Sequence, residues 1–82
     1  MPRPVLTLYI RTYCHLCDDM RLAITALHRR FDFELEEVDV DDDDALEARL
    51  GEKVPVLMRG NREICHYFFD ETAFRQSFEN DC

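Results

Sequence analysis

Cys14 and Cys17, in the stretch TYCHLCDDM, are the residues whose type and spacing could do chemistry. A C-x-x-C pair can exchange electrons as dithiol and disulfide, supply half of a metal site, or pack as two small core residues. The motif alone leaves these open, so the elements that hold it matter. VLTLYI, Val5–Ile10, is rich in β-formers and reads as a strand buried on both faces. From Leu16 the apolar residues Met20, Ala23, Ile24, Leu27 and Phe31 follow at helical spacing, with Asp18 and Asp19 in the first turn and Arg29 and Arg30 in the last. Such a helix starts beside Cys14, where free backbone N–H groups favour a thiolate. Cys17 lies one turn on, on the same face and within disulfide reach. The two roles are therefore unequal: Cys14 the exposed nucleophile, Cys17 the more buried resolving thiol.

Neighbouring charges modify that picture. Arg11 can approach the thiolate from the strand end, and His15 adds positive charge when protonated, whereas Asp18 and Asp19 act the other way. A helix terminus contributes about 0.3–1 kcal/mol, less than the roughly 1.4 kcal/mol of one pKa unit. The expected depression of the Cys14 pKa is moderate.

The remaining elements follow from pattern. In FDFELEEVDV the apolar phase slips between Leu35 and Val38, which predicts a regular strand only in the later part. The aspartate run then caps a short helix, DALEARLG, that stops at Gly51. VPVLM and REICHY read as strands joined by a tight turn in which Gly60-Asn61 favours positive φ, and a last helix, DETAFRQSF, begins at a capping Asp70. The order is β-α-β-α-β-β-α: parallel pairing of the first two strands, an antiparallel hairpin for the last two, and an α/β fold with a mixed four-stranded sheet flanked by helices. With no repeat and no linker, one domain is expected across 1–82.

Bulk composition narrows the function classes. A hydrophobic content of 46% places the chain with globular domains rather than disordered ones. A formal net charge of −8 argues against nucleic acid and against anionic membrane surfaces. The start, MPRPVLTLYI, lacks a signal-peptide core, so a cytoplasmic location is expected. In a reducing compartment four cysteines suggest redox chemistry or metal binding more than a disulfide framework. Disulfide-containing proteins or small thiols are the expected partners, and the expected state is a monomer.

Strand, RTYCHLC, helix, strand, helix, then VPVLM and a hairpin, resembles the thioredoxin fold in its short glutaredoxin form, from Val5 to Phe78. C-x-L-C, the Asp-rich segment and the Val-Pro strand are similar to short bacterial glutaredoxin-like proteins. The resemblance implies a thiol-disulfide oxidoreductase with Cys14 and Cys17 as catalytic residues and Arg11, Tyr13, His15, Val54 and Pro55 contacting substrate. It implies a cis Val54-Pro55 bond opposite the cysteine pair, with the backbone of the preceding residue free to pair with a bound thiol. No cofactor is bound in this reading, and glutathione is a reductant or substrate.

Departures from that family are specific. His15-Leu16 stands between the cysteines in place of Pro-Tyr or Gly-Pro. Glutathione-binding members carry Gly-Gly and then Thr/Ser-Asp after the fourth strand. In ICHYFFD, Cys65 and His66 fall where the glycines would be and Phe68-Phe69 where the polar pair would be. Arg11 and Lys53 are the remaining cations for a tripeptide.

Against the redox reading stands a metal-binding or metal-delivery module built on Cys14 and Cys17, most simply completed by Cys65 and His66. Adjacent strand residues point to opposite faces, which disfavours that set. Copper chaperones carry Met where Thr12 stands and lack the Val-Pro strand. Cys65 reads as a buried strand residue and Cys82 as an incidental exposed thiol. Asp39, Asp41 and Asp43 begin like a calcium loop, but Asp44 and Leu50 occupy the positions that need Gly and Glu. Helix capping and a solvated acidic face account for them.

Overall fold

The computed structural model of the chain describes residues 3–79. Its elements are β1 (Val5–Ile10), α1 (His15–Ala26), β2 (Glu34–Asp39), α2 (Asp44–Leu50), β3 (Val56–Arg59), β4 (Arg62–His66) and α3 (Glu71–Glu79), with 3₁₀ turns at Leu27–Arg29 and Val40–Asp42. The strands form one sheet in the order β2-β1-β3-β4. β1 pairs in parallel with β2, and β3 runs antiparallel to both β1 and β4, so the sheet is mixed as the element order requires. Cys82 lies outside the described residues.

Register explains the core. Leu8 pairs with Leu57, and Leu57 with Cys65, so these three side chains share one face. Met20, Ile24 and Leu27 come from the first helical stretch and Phe74 from α3, and together with Leu6 and Phe33 they close a single buried cluster. Phe74 is fully buried and stands edge-on to Phe31 and Phe33, with Phe69 and Phe78 also in ring contact. Val40 and Val56 are buried outside that cluster, and α2 packs on the 3₁₀ turn that carries Val40.

Four expectations need correction. β1 is not equally buried on both faces: Leu6 and Leu8 are fully buried, whereas Val5 is 39% exposed. The first helix ends at Ala26 and tightens into a 3₁₀ turn, with the Phe31 N–H returning to the Leu27 carbonyl at 3.0 Å. Phe31 thereby leaves the helix and joins the aromatic cluster, and Arg29 and Arg30 fall outside α1. β2 is regular from Glu34 onward, with unbroken register from Val5↔Glu34 to Ile10↔Asp39. The phase slip has a simple origin: Leu35 lies on the core face, Val38 on the other, and the edge strand is only half covered on each. Finally, β3 starts at Val56 and β4 ends at His66, leaving Val54, Pro55 and Tyr67 in the connections.

The turns and caps follow local chemistry. Gly60 has φ +60° and Asn61 does not share the positive φ, so the two-residue hairpin loop uses one left-handed residue, where glycine has no Cβ to clash. The Asp43 carboxylate accepts from the N–H groups of Ala45 (2.8 Å) and Leu46 (3.2 Å), and Asp70 accepts from Ala73 N–H at 3.0 Å. Gly51 ends α2 in right-handed conformation. A Cβ there would sit 2.5 Å from the Glu47 carbonyl oxygen, so close approach rather than positive φ requires glycine.

Phe74→Ala is expected to cost about 3–5 kcal/mol, and Asp43→Ala about 1 kcal/mol, in denaturant-unfolding free energy. Phe74→Leu retains more of the apolar volume and should fall between them.

Candidate functional site

One end of the sheet collects the residues of interest. Tyr9 pairs with Val56 and Val56 with His66, which sets three strands in a row across the sheet. The segments continuing from that row are Arg11–Cys14 after β1, Val54-Pro55 before β3, and Tyr67-Phe68 after β4. On the other side of β1, Ile10 pairs with Asp39, so the aspartate run emerges at the same end.

Cys14 is the N-cap of α1. Its extended backbone (φ −115°, ψ 108°) starts the helix, its carbonyl accepts the Asp18 N–H at 3.1 Å, and its Sγ accepts the Cys17 N–H at 3.1 Å. Cys14 and Cys17 are joined as a disulfide with Cα atoms 5.1 Å apart. Cys17 is 1% exposed, while Cys14 is half-buried. Only the Cys14 sulfur is thus open to a partner. The turn that delivers it passes through Tyr13, which has φ +59° and a fully exposed ring. A left-handed conformation is uncommon for a residue with a Cβ, and it reverses the chain between strand and helix.

Arg11 and Asp18, two of the charged neighbours, are already paired, whereas Asp19 is exposed and in no ion pair among the described residues. The Arg11 guanidinium bonds to Asp41 at 3.2 Å and also to Glu47. Thr12 donates its hydroxyl to Asp39 at 3.1 Å. Asp18, expected to oppose a thiolate, is held by Arg21 at 2.9 Å, and Arg21 also reaches Glu37 at 2.7 Å. His15 is exposed and Leu16 half-buried.

Val54-Pro55 is a cis peptide bond. Its loop is tied to the β4 end: Tyr67 N–H donates to the Pro55 carbonyl at 3.0 Å, and the Tyr67 hydroxyl to the Glu52 carbonyl at 2.8 Å. Lys53 meets Glu63 at 3.5 Å. Glu63 also takes a hydrogen bond from His66 Nδ1 at 2.7 Å, and this bond, ahead of the attraction of Lys53, holds its carboxyl below the usual value. A register shift between Leu57 and Met58 makes the pair possible, because the extra residue in β4 brings positions three apart onto one face. Tyr67 adopts φ +63°, so the left-handed position lies one residue beyond Cys65-His66, where the glycines of glutathione-binding relatives would fall.

Cys65 is a free thiol, 8% exposed within the core cluster, and burial pushes its pKa up. It faces the core beside Leu57, whereas His66 pairs with Val56 on the alternate position. The four residues of the metal alternative therefore do not converge, and among the described residues no group of three or more His, Cys, Asp or Glu is arranged to hold a metal ion. A cleft of about 270 Å³ between β4 and α3, lined by Arg59, Arg62 and Gln76 among others, lies toward the hairpin end and includes neither Cys14 nor Cys17.

A family model for the Glutaredoxin-like domain (DUF836) matches residues 5–79. The chain belongs to this glutaredoxin-like family. Protein Ne2328 from Nitrosomonas europaea, a solution NMR structure, is similar to this glutaredoxin-like chain with 32% identity and a TM-score of 0.85, covering 94% of this chain and 93% of that one. XcR50 from X. campestris, an X-ray structure, shares 40% identity with a TM-score of 0.67 over 90% and 95% of the two chains. Fasciola hepatica thioredoxin, at 19% identity and a TM-score of 0.59 over 94% of this chain and 79% of its own, shows the same fold. No curated protein matches the chain. In this glutaredoxin-like domain no helix among the described residues is long and apolar enough to cross a membrane.

Two measurements follow from the buried groups. With the disulfide reduced, thiol-reactive probes should label Cys14 quickly and Cys65 only as the fold opens, read by mass mapping over time. The depressed Glu63 carboxyl contributes stability above its ordinary value of 4.5 that is lost as the pH falls through its folded-state pKa. Glu63→Gln should therefore be less stable than the parent at neutral pH, with the gap closing on acidification when denaturant midpoints are compared.

Proposed function

We propose that this chain is a thiol-disulfide oxidoreductase that reduces protein or small-molecule disulfides through Cys14 and Cys17. The observation that carries the reading is the N-cap placement of Cys14, whose sulfur accepts a backbone N–H while joined to a sulfur that solvent does not reach.

The chemistry starts from the dithiol. The Cys14 thiolate, favoured by the helix N-terminus and the Cys17 N–H, attacks one sulfur of a substrate disulfide. A Cys14–substrate bond forms, the substrate S–S bond breaks, and one substrate thiolate departs. The Cys17 thiolate, its proton lost to solvent or to that departing thiolate, then attacks the Cys14 sulfur. The intramolecular disulfide forms and the second substrate thiolate leaves. Two electrons pass from the dithiol to the substrate, and two thiols of an external reductant restore the start. Glutathione or a dithiol reductase supplies that reductant.

Position assigns the supporting roles. Val54, preceding the cis bond, offers its backbone to an extended substrate chain beside Cys14, and Pro55 fixes the loop that presents it. Tyr13 and His15 flank the attacking sulfur and contact the substrate. Arg11, neutralised by Asp41 and Glu47, orders the loop before Cys14 more than it charges the sulfur. Disulfide reduction in the cytoplasm by a monomer fits this reading.

Cys14→Ser should abolish reduction of a model disulfide in a coupled thiol assay. Cys17→Ser should instead accumulate a mixed disulfide detectable as an added mass on Cys14. Undiminished turnover by Cys14→Ser would reject the assignment.

A further inference from the structure

We infer that the disulfide end of the molecule selects cationic polypeptide disulfides over anionic small ones, receiving the partner's lysine and arginine side chains on exposed aromatic rings and solvent-facing carboxylates. The inference deepens the redox reading and rests on it for the location of the reacting sulfur.

Placement comes first. The loops bearing Tyr13 and Phe68 continue from β1 and β4, which lie two strands apart, or about 10 Å at the usual inter-strand spacing. The loop of Val54-Pro55 emerges between them, and the acidic segment after β2 lies on the far side of β1. A chain lying across this end meets Phe68, the Val54 backbone, Tyr13 beside Cys14, and then the carboxylates. Tyr13 is fully exposed and Phe68 71% exposed, so both rings offer open faces.

Charge then decides what that chain carries. Three cations of this end are held by the protein's own acids: Arg11 by Asp41 and Glu47, Arg21 by Asp18 and Glu37, and Lys53 by Glu63. Asp42 and Asp44 are exposed and make no ion pair among the described residues. The Tyr67 hydroxyl, a donor in the segment after β4, is committed to the Glu52 carbonyl. An anionic tripeptide with two carboxylates would have to compete with these acids for Arg11, Arg21 and Lys53 and would meet a negative field, within a chain of formal charge −8. A guanidinium or ammonium group gains twice, from the carboxylates and from the negative faces of the aromatic rings. One partner chemistry thus satisfies both features.

Matched peptides test this. A blocked peptide with Arg and Lys flanking a serine in place of the disulfide cysteine is titrated into the protein and followed by amide chemical shifts, beside its Glu and Asp counterpart. The cationic peptide should shift residues of the Tyr13, Phe68 and Asp42–Asp44 segments and the anionic one should not. In turnover, the cysteine versions should differ by about tenfold or more in kcat/KM at low salt, with the ratio shrinking as salt rises. Asp42→Asn with Asp44→Asn should reduce the ratio while leaving reduction of the neutral disulfide of mercaptoethanol unchanged, and Phe68→Ala should weaken cationic binding. Equal binding of both peptides, a salt-insensitive ratio, or faster turnover of a glutathione mixed disulfide would overturn the inference. Inactivity toward every disulfide would reject the redox reading alone, because peptide binding is scored without turnover.

Discussion

The structure depends on a single row of backbone pairing, Tyr9 to Val56 to His66. Because β3 runs against both of its neighbours, its N-terminus meets the C-termini of β1 and β4. Connections distant in sequence therefore open at one end: the turn into α1, the cis Val54-Pro55 peptide and the Tyr67-Phe68 segment. Nothing in any one of these segments makes a site. Their convergence makes the candidate site, and it is secured by a buried face on which Leu8, Leu57 and Cys65 stand side by side under Met20, Ile24 and Phe74. A slip of one residue in that register would turn the side chains of the slipped strand to the other face.

Much of this was legible in the sequence because several signals agreed. The bounds of β1, the start of α1 beside Cys14, the capping of α2 and α3 and the order of elements each rest on short-range chemistry that tertiary contacts do not override. The end of α1 is hidden in the sequence because helical spacing continues to Phe31, while the aromatic cluster around Phe74 holds that ring outside the helix. The start of β2 is hidden because edge strands with both faces half covered do not alternate cleanly. The cis bond was accessible only through family resemblance.

The surroundings of the cysteines were harder to read, and the reason is electrostatic. Sequence places Arg11 three residues before Cys14 but does not show that parallel pairing of Ile10 with Asp39 delivers carboxylates to it. The element order implies the parallel crossover, and that topology brings a basic residue after β1 to an acidic run after β2. The left-handed conformations of Tyr13 and Tyr67 carry no comparable signal, since tyrosine does not favour them. Both occur in loops at the disulfide end, which is where backbone irregularity tends to gather.

The β-bulge of β4 and the acids of β2 have a consequence beyond the positions they adjust. These are the two edge strands of the sheet, and exposed edges are templates for pairing with another molecule. Along β2, Glu34, Glu36 and Glu37 occupy half of the six positions and Arg3 and Arg21 hold two of them, so this edge presents charged side chains that an approaching strand would have to strip of water. Along β4, the extra residue interrupts the even ladder that an incoming strand would need. One side of the sheet is shielded by charge and the other by geometry, which leaves the loops rather than the strands as the surface through which this small domain can engage another chain.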